Sequence, residues 1–336
     1  MIPLVSILIP AYNAAEWISQ TLSSAIAQTW PNKEIIVVDD GSTDDTVAIA
    51  RQFESHGVRI LQQKNQGAAS ARNHAYSVSR GEYIQWLDAD DLLAPDKISL
   101  QMQRADPAFP RVLFSCAWGT FIYRPAKAHF FPTDLWCDLD PAEWILRKFE
   151  QPIYMQTSSW LVSRELTEKA GPWNTNLMGD DDGEYFCRVI IASTHVRFVP
   201  EAKVFYRCAG NNRLSYVGTS NPKLEAHFLS MQLHVQYTLN ALGSSERVRA
   251  ALLTYLQRFM IYFYERRPDI VNELQKMAYK LGGHLHAPVL PWKYAWLQNL
   301  FGWTFARKAQ LQLPQVRGHI LSLADRALWR FEGGRR

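Results

Sequence analysis

The sequence predicts an α/β fold: a mostly parallel sheet with helices on both faces, followed by a helical C-terminal region. Three observations carry this. Short β-rich runs alternate with helix-patterned segments through the first hundred residues. The runs at 5–9 (Val-Ser-Ile-Leu-Ile) and 34–38 (Glu-Ile-Ile-Val-Val) are almost wholly apolar, as strands buried on both faces are. From about Lys223 onward the chain turns to helix formers with apolar residues at helical spacing.

The elements follow in order. Between the first two strands, 15–28 places Trp17, Ile18, Leu22, Ala25 and Ile26 on one helical face, and Pro31 closes the segment. After the second strand, 39–45 (Asp-Asp-Gly-Ser-Thr-Asp-Asp) reads as a loop in which Ser42 and Asp45 predict a capping box opening a helix over 44–53. A third strand is predicted at 58–62, a third helix at 68–79 and a fourth strand at 83–87, which runs into Asp88-Ala89-Asp90-Asp91. Further on, 228–242, 248–265 and 270–281 read as helices, with Pro268 breaking the run and Gly282-Gly283 a joint. Residues 284–291 read as linker, and a last helix near 317–331 aligns Ile320, Ala324, Ala327 and Phe331 opposite Arg326 and Arg330.

A chain of 336 residues holds about two domains. With 47% hydrophobic and 20% charged residues it has matter for a core and too little charge for disorder. The net charge of +4 is unevenly spread. Residues 1–100 hold 7 Lys/Arg against 12 Asp/Glu, whereas 283–336 hold 8 against 2 together with 8 aromatic residues. A basic surface for nucleic acid is therefore not expected. The opening residues carry no basic segment or cleavage pattern, so no secretory signal is predicted. The longest apolar run, 112–123, is interrupted by Ser115, Gly119 and Thr120, so no membrane span is predicted either. Cys116, Cys137, Cys187 and Cys208 are spaced too widely for a zinc knuckle or redox pair and read as free, mostly buried thiols of a reducing cytoplasm.

Parallel sheets bind ligands beyond the carboxyl ends of their strands. That rule brings 10–13, 39–45 and 88–91 to one rim. The rim lacks both the dinucleotide-binding and the P-loop glycine patterns. It offers acids instead. Asp88 and Asp90, two apart on an extended segment, suit a hard cation such as Mg²⁺ or Mn²⁺ that shares its shell with water and substrate phosphate. The plain alternative is a solvated acidic loop capping the helix that begins near Asp96.

Together, 5–13 (Val-Ser-Ile-Leu-Ile-Pro-Ala-Tyr-Asn), Gln28-Thr29, 37–44, 65–67 (Asn-Gln-Gly), 71–73 (Ala-Arg-Asn) and 83–91 resemble the opening of a family 2 glycosyltransferase, in order and spacing. The resemblance is strong over 3–97, weaker over 150–210 and absent beyond about 225. It implies a GT-A fold and an inverting, metal-dependent transferase that uses a nucleotide-diphosphate sugar, with Mn²⁺ or Mg²⁺ as cofactor. Residues 1–222 would be the catalytic domain, 223–282 a helical extension and 283–336 a basic, aromatic tail.

By the same resemblance Pro10, Tyr12 and Asn13 border the nucleotide base, with the Tyr12 ring stacked on it. Asp40 accepts a hydrogen bond from the base while Asp39 shapes the loop. Arg72 lies beside base and phosphates. Asp88-Ala89-Asp90 matches the D-x-D motif, with Asp90 the direct metal ligand and Asp88 nearer the ribose. The acids at 179–184 (Gly-Asp-Asp-Asp-Gly-Glu) resemble the family's second acidic motif, in which an Arg stands six residues after the second acid. Counting back from Arg188 makes Asp182 the base for the acceptor hydroxyl, with Asp181 the alternative and simple capping the bland reading. A helix N-terminus would favour the ionised form that a base needs. Trp160 and the Gly-Pro-Trp-Asn turn at 171–174 border the acceptor side, although Trp160 reads equally well as core. Arg207 and Arg213 are candidates for reaching the diphosphate.

The Gln-x-x-Arg-Trp signature of processive synthases is missing, so transfer of one sugar to a glycan or lipid-linked glycan is expected, with bacterial surface glycan assembly as the setting. Competing readings are a nucleotidyltransferase, which would need a basic Gly-rich loop where Pro10 to Asn13 stand, and a catalytically inactive carbohydrate- or membrane-binding relative. The tail reads either as a helical cap on the catalytic domain or another subunit, or as a peripheral contact with the inner face of an anionic membrane.

Overall fold

The structure is a computed structural model that describes residues 2–208 and 220–332 and, within that span, every side chain except those of 314–317. The first third alternates strand and helix as expected: β1 (Val5–Ala11), α1 (Ile18–Ile26), β2 (Lys33–Asp39), α2 (Thr46–Arg51), β3 (Val58–Gln62), α3 (Ala68–Ser77) and β4 (Tyr83–Trp86). All seven residues of β1 are buried, which is why they carry no polar alternation. β1 pairs in parallel with β2 on one side, from Val5 opposite Lys33, and with β4 on the other, from Val5 opposite Tyr83. Gly81 permits the second pairing. Its N–H donates to Ser6 Oγ at 2.8 Å, and a Cβ there would stand 2.6 Å from the Ser6 backbone nitrogen.

Beyond β4 come β5 (Leu92–Leu93), α4 (Lys97–Met102), the long β6 (Val112–Phe121), β7 (His129–Phe130), α5 (Pro141–Glu150), β8 (Val162–Ser163), α6 (Arg164–Ala170), α7 (Asp181–Ala192) and β9 (His195–Arg207). The first sheet runs β3-β2-β1-β4-β8, with β8 antiparallel at its edge, and a second runs β5-β9-β6-β7. Because β1 to β4 are parallel, the chain leaves each of them at the same edge, and the acidic loops collect there.

The second half is helical: α8 (Asn221–Leu242), α9 (Glu246–Phe259), α10 (Pro268–Lys280), α11 (Trp292–Phe301) and α12 (Trp303–Phe331). Leu224, Met231, Leu252, Leu256 and Leu274 belong to the same buried cluster as the strands, so the helices to residue 285 share one core with the sheet. α11 and α12 have a small core of their own, made by Leu290, Tyr294, Leu297 and Ala306.

Some local expectations change. The capping box does not form. Ser42 Oγ accepts from the Asn13 N–H, Asp45 makes no side-chain cap, and Asp44 instead accepts from the Thr46 N–H, so the helix is only six residues long. α8 begins seven residues before its predicted start, with Pro222 in its first turn. α12 begins at Trp303 rather than near 317. Of the cysteines, Cys116 and Cys187 are buried, Cys208 is intermediate and Cys137 is exposed. Among the described residues no helix is long and apolar enough to cross a membrane.

Candidate functional site

Three strand-end loops are laced together at the sheet's C-terminal edge. Asn13, in the left-handed region at φ 47°, accepts from the Thr43 N–H at 2.8 Å, tying the loop after β1 to the loop after β2. Asp40 ties the second loop to the third. Its two oxygens accept from Gln66 N at 2.8 Å, Gly67 N at 2.7 Å and Gln63 Nε2 at 2.8 Å. Asp39 Oδ2 accepts from the Ser42 N–H at 3.1 Å, while Oδ1 is buried without a hydrogen-bond partner among the described residues. Asp40 thus ties the loops together, and Asp39 Oδ1 stays a buried acceptor. Pro10 is buried within β1, whereas the Tyr12 ring is 52% exposed, so it is no core residue and has a face to offer.

The fourth loop joins the two acidic clusters through one cation. Arg72, on α3 and 6% exposed, donates to Asp88 Oδ1 at 2.8 Å and to Asp181 Oδ2 at 2.7 Å, with its guanidinium 4.3 Å above the Trp173 ring. Burial works against the Arg72 charge, but Asp88 and Asp181 outweigh it and hold the group above its ordinary value. Asp88 and Asp90 are half-buried at the rim. Asp91 is not part of the rim. It is fully buried, accepting from the Arg207 N–H at 2.9 Å, Ser158 Oγ at 3.3 Å and Gln156 Nε2, and burial together with Asp90 and Asp88 pushes its carboxyl well up. Among the described residues no three carboxylate, imidazole or thiol groups converge as a self-sufficient cation site. Two half-buried carboxylates fit a hard divalent cation that takes its other ligands from phosphate and water.

The triple acid opens α7, and the fold assigns each member a different environment. Asp180 is the residue before the helix, left-handed at φ 55°, and its carboxylate receives Ser230 Oγ from α8 with His234 Nδ1 at 4.0 Å. Burial alone would raise it, but His234, His227 and Lys148 and the Ser230 hydrogen bond hold it below the carboxylate range. Asp181 is committed to Arg72. Asp182 accepts from Thr157 Oγ1 at 3.2 Å and the Gly183 N–H at 2.9 Å, and burial, then the charges of Asp181 and Asp180, push it up to about 6. The helix N-terminus was expected to favour the ionised form, but desolvation and two neighbouring acids outweigh it. Sequence reasoning missed Ser230, His234 and Thr157. The first two lie on a helix some fifty residues on, with nothing in their spacing to link them to these acids.

One other expectation is corrected, and of the two readings of Trp160 the core one holds. Arg207 is 1% exposed, with Nε donating to the Asp90 carbonyl at 2.7 Å, Nη1 to the Ile122 carbonyl at 3.0 Å and Nη2 to Gln20 Oε1 at 2.8 Å. Sandwiched between Trp17 and Phe121, with every nitrogen engaged, it braces the Asp90 loop instead of reaching into the site. Trp160 is core, 1% exposed and stacked on Phe186. Arg213 lies outside the described residues.

The family model described as Glycosyl transferase family 2 matches residues 6–153. Chondroitin synthase of Escherichia coli is 48% identical over 101 residues, 30% of this chain and 15% of that protein. Hyaluronan synthase of Pasteurella multocida is 45% identical over 101 residues, 30% of this chain and 10% of that one. The chain thus spans a small part of these curated relatives. Among solved structures, S. aureus TarS 1–349 in complex with UDP-GlcNAc superposes with a TM-score of 0.67 at 17% identity, covering 82% of this chain and 81% of that one. The mannosyltransferase PcManGT of Pyrobaculum calidifontis, in complex with GDP-Man and Mn²⁺, gives 0.55 at 19% identity over 97% of this chain and 88% of that one. These likenesses make the fold GT-A-like.

Proposed function

We propose, from the match of residues 6–153 to the glycosyl transferase family 2 model, that the chain is an inverting transferase of that family. It moves one sugar from a UDP-linked donor to a hydroxyl of a glycan or lipid-linked glycan, in bacterial surface glycan assembly at the inner face of the cell membrane. The single observation that carries the reading is Arg72. One guanidinium holds Asp88 of the first acidic cluster and Asp181 of the second, so donor-side and acceptor-side acids meet in one site.

The roles follow from the environments. Tyr12 stacks on the base and Asp39 Oδ1 accepts its N–H, with Pro10, Asn13 and Asp40 holding the loops in place. Asp90, with Asp88 beside it, would hold Mn²⁺ or Mg²⁺, which supplies charge neutralisation to the departing diphosphate when bound. Arg72 and Asp181 fix the approach between the clusters. Asp182 takes the acceptor proton. Its carboxyl, raised to about 6, is ionised at neutral pH and more basic than an ordinary aspartate, which is what a general base requires. The acceptor oxygen then attacks the anomeric carbon on the face opposite the leaving diphosphate.

The test is turnover of a panel of UDP-sugars with and without Mn²⁺ or Mg²⁺, alongside Asp90→Ala and Asp182→Ala. Turnover should depend on the ion and fall by about a hundredfold or more in each variant. Full turnover in either variant would overturn the assignment of that residue.

A further inference from the structure

The last helix is mounted with its amphipathic faces reversed. α12 meets the catalytic domain through a mainly polar side that also carries Trp329: Asp325 receives Arg124 Nε at 2.7 Å and the Tyr123 N–H at 2.8 Å, Glu332 receives Arg124 Nη1 at 2.7 Å, and Arg326 reaches Glu16 at 3.2 Å. Its apolar stripe points the other way. Ile320 is 62% exposed, Leu328 48% and Phe331 91%, at helical spacing on one side. α11 and the start of α12 extend the same character, with Trp292 at 88%, Phe301 at 60% and Phe305 at 49% exposure. A helix that spends its charged face on its own domain and presents its apolar face outward has an apolar partner elsewhere.

Charge identifies the partner. Residues 283–336 contain two acids, Asp325 and Glu332, and both are paired with Arg124. The exposed Lys293, Lys308 and Arg330 leave the tail surface cationic around its apolar side chains. A second copy of the chain would set this patch against itself and bring like charges together. An anionic bilayer takes both parts, with phosphates meeting the cations and the acyl boundary meeting the aromatic and aliphatic side chains.

We propose that α11 and α12 seat the protein on an anionic phospholipid surface, with Trp292, Phe301, Phe305, Ile320 and Phe331 at the acyl boundary and Lys293, Lys308 and Arg330 on the lipid phosphates. The seating reaches the acidic rim by direct contact. Trp329 lies 5.8 Å from Tyr123, Tyr123 lies 5.2 Å from Trp17, and Trp17 lies under Arg207, whose Nε holds the Asp90 carbonyl. The inference rests on how the tail is mounted and not on the transfer chemistry.

The experiment is flotation of the full chain, without donor sugar, on vesicles of phosphatidylcholine alone or mixed with phosphatidylglycerol. Binding is expected to the mixed vesicles, and to weaken with salt. Ile320→Ser/Phe331→Ser and Lys308→Glu change only exposed positions, so thermal melting should stay at the wild-type value while the partition coefficient falls about tenfold in each. Equal partition into neutral and anionic vesicles would overturn the proposal, as would no partition into either. So would analytical ultracentrifugation showing a dimer that Phe331→Ser dissolves, because a second copy would then cover the face.

Discussion

Replacing Asp182 with Asn should make the protein more stable at alkaline pH while removing its activity. In the folded state burial and the neighbouring acids hold this carboxyl at about 6, against 3.8 in the unfolded chain. A raised carboxylate favours folding only while it keeps its proton, so stability falls as pH rises from about 3.8 through 6 and is level above. The full loss is about 3 kcal/mol at 1.36 kcal/mol per unit, a ceiling because the side chain is partly exposed to solvent. About half of it, close to 1.4 kcal/mol, falls between pH 5 and pH 8. Asn has nearly the same shape and never ionises, so the variant escapes this loss. Urea unfolding followed by tryptophan fluorescence at both pH values should show the stability difference, variant minus wild type, growing by about 1 kcal/mol at pH 8. The wild-type kcat/KM should lose activity below about pH 6, and the variant should be slower by a factor of about 10² to 10⁴. A difference that is the same at pH 5 and pH 8 would refute the account of how the fold raises this group.

The neighbouring residues give separable outcomes. In Asp180→Asn the charge that helps raise Asp182 is gone, so the acid limb of the rate profile should move to lower pH. Ser230→Ala keeps that charge and should leave the limb in place, while kcat falls about tenfold in both variants and the donor KM is unchanged, as measured by steady-state kinetics. Arg207→Met withdraws the brace from the Asp90 carbonyl, and calorimetry with Mn²⁺ and UDP should show ion affinity weakened about ten- to a hundredfold. Gly81→Ala would drive a Cβ into the Ser6 backbone, and denaturant titration should show a loss of about 2 kcal/mol or more without any change in residues at the rim.

What the sequence could disclose was set by the range of the physics involved. Strands buried on both faces announce themselves through unbroken apolar runs, and parallel order then forces the loops to one edge, so the rim was legible without coordinates. Element ends were less so. Ser42 and Asp45 have the spacing of a capping box, yet Ser42 is drawn to the Asn13 N–H on another loop, a competition no local pattern records. Asp39 and Asp40 are adjacent and chemically identical. Only the arrival of the 63–67 loop, which occupies Asp40, leaves Asp39 with the unpartnered oxygen.

The triple acid is the sharpest case, because three identical side chains in a row acquire three different chemistries from residues far away in sequence. Ser230 of α8 and the charge of Lys148 on α5 favour Asp180 as a buried anion, Arg72 of α3 takes Asp181, and Asp182 is left among carboxylates with only a hydroxyl and its neighbour's N–H to support its charge. The least compensated of the three is also the most basic. Gly183 leaves room for the Asp180 carboxylate, which a Cβ there would meet. The raised carboxyl of Asp182 is therefore set first by its burial and then by the charges of Asp181 and Asp180, the second of which α8 helps to keep ionised through Ser230. The extension lies outside the matched family region, so a chain with an intact rim but a different α8 should keep donor binding and have a less raised carboxyl.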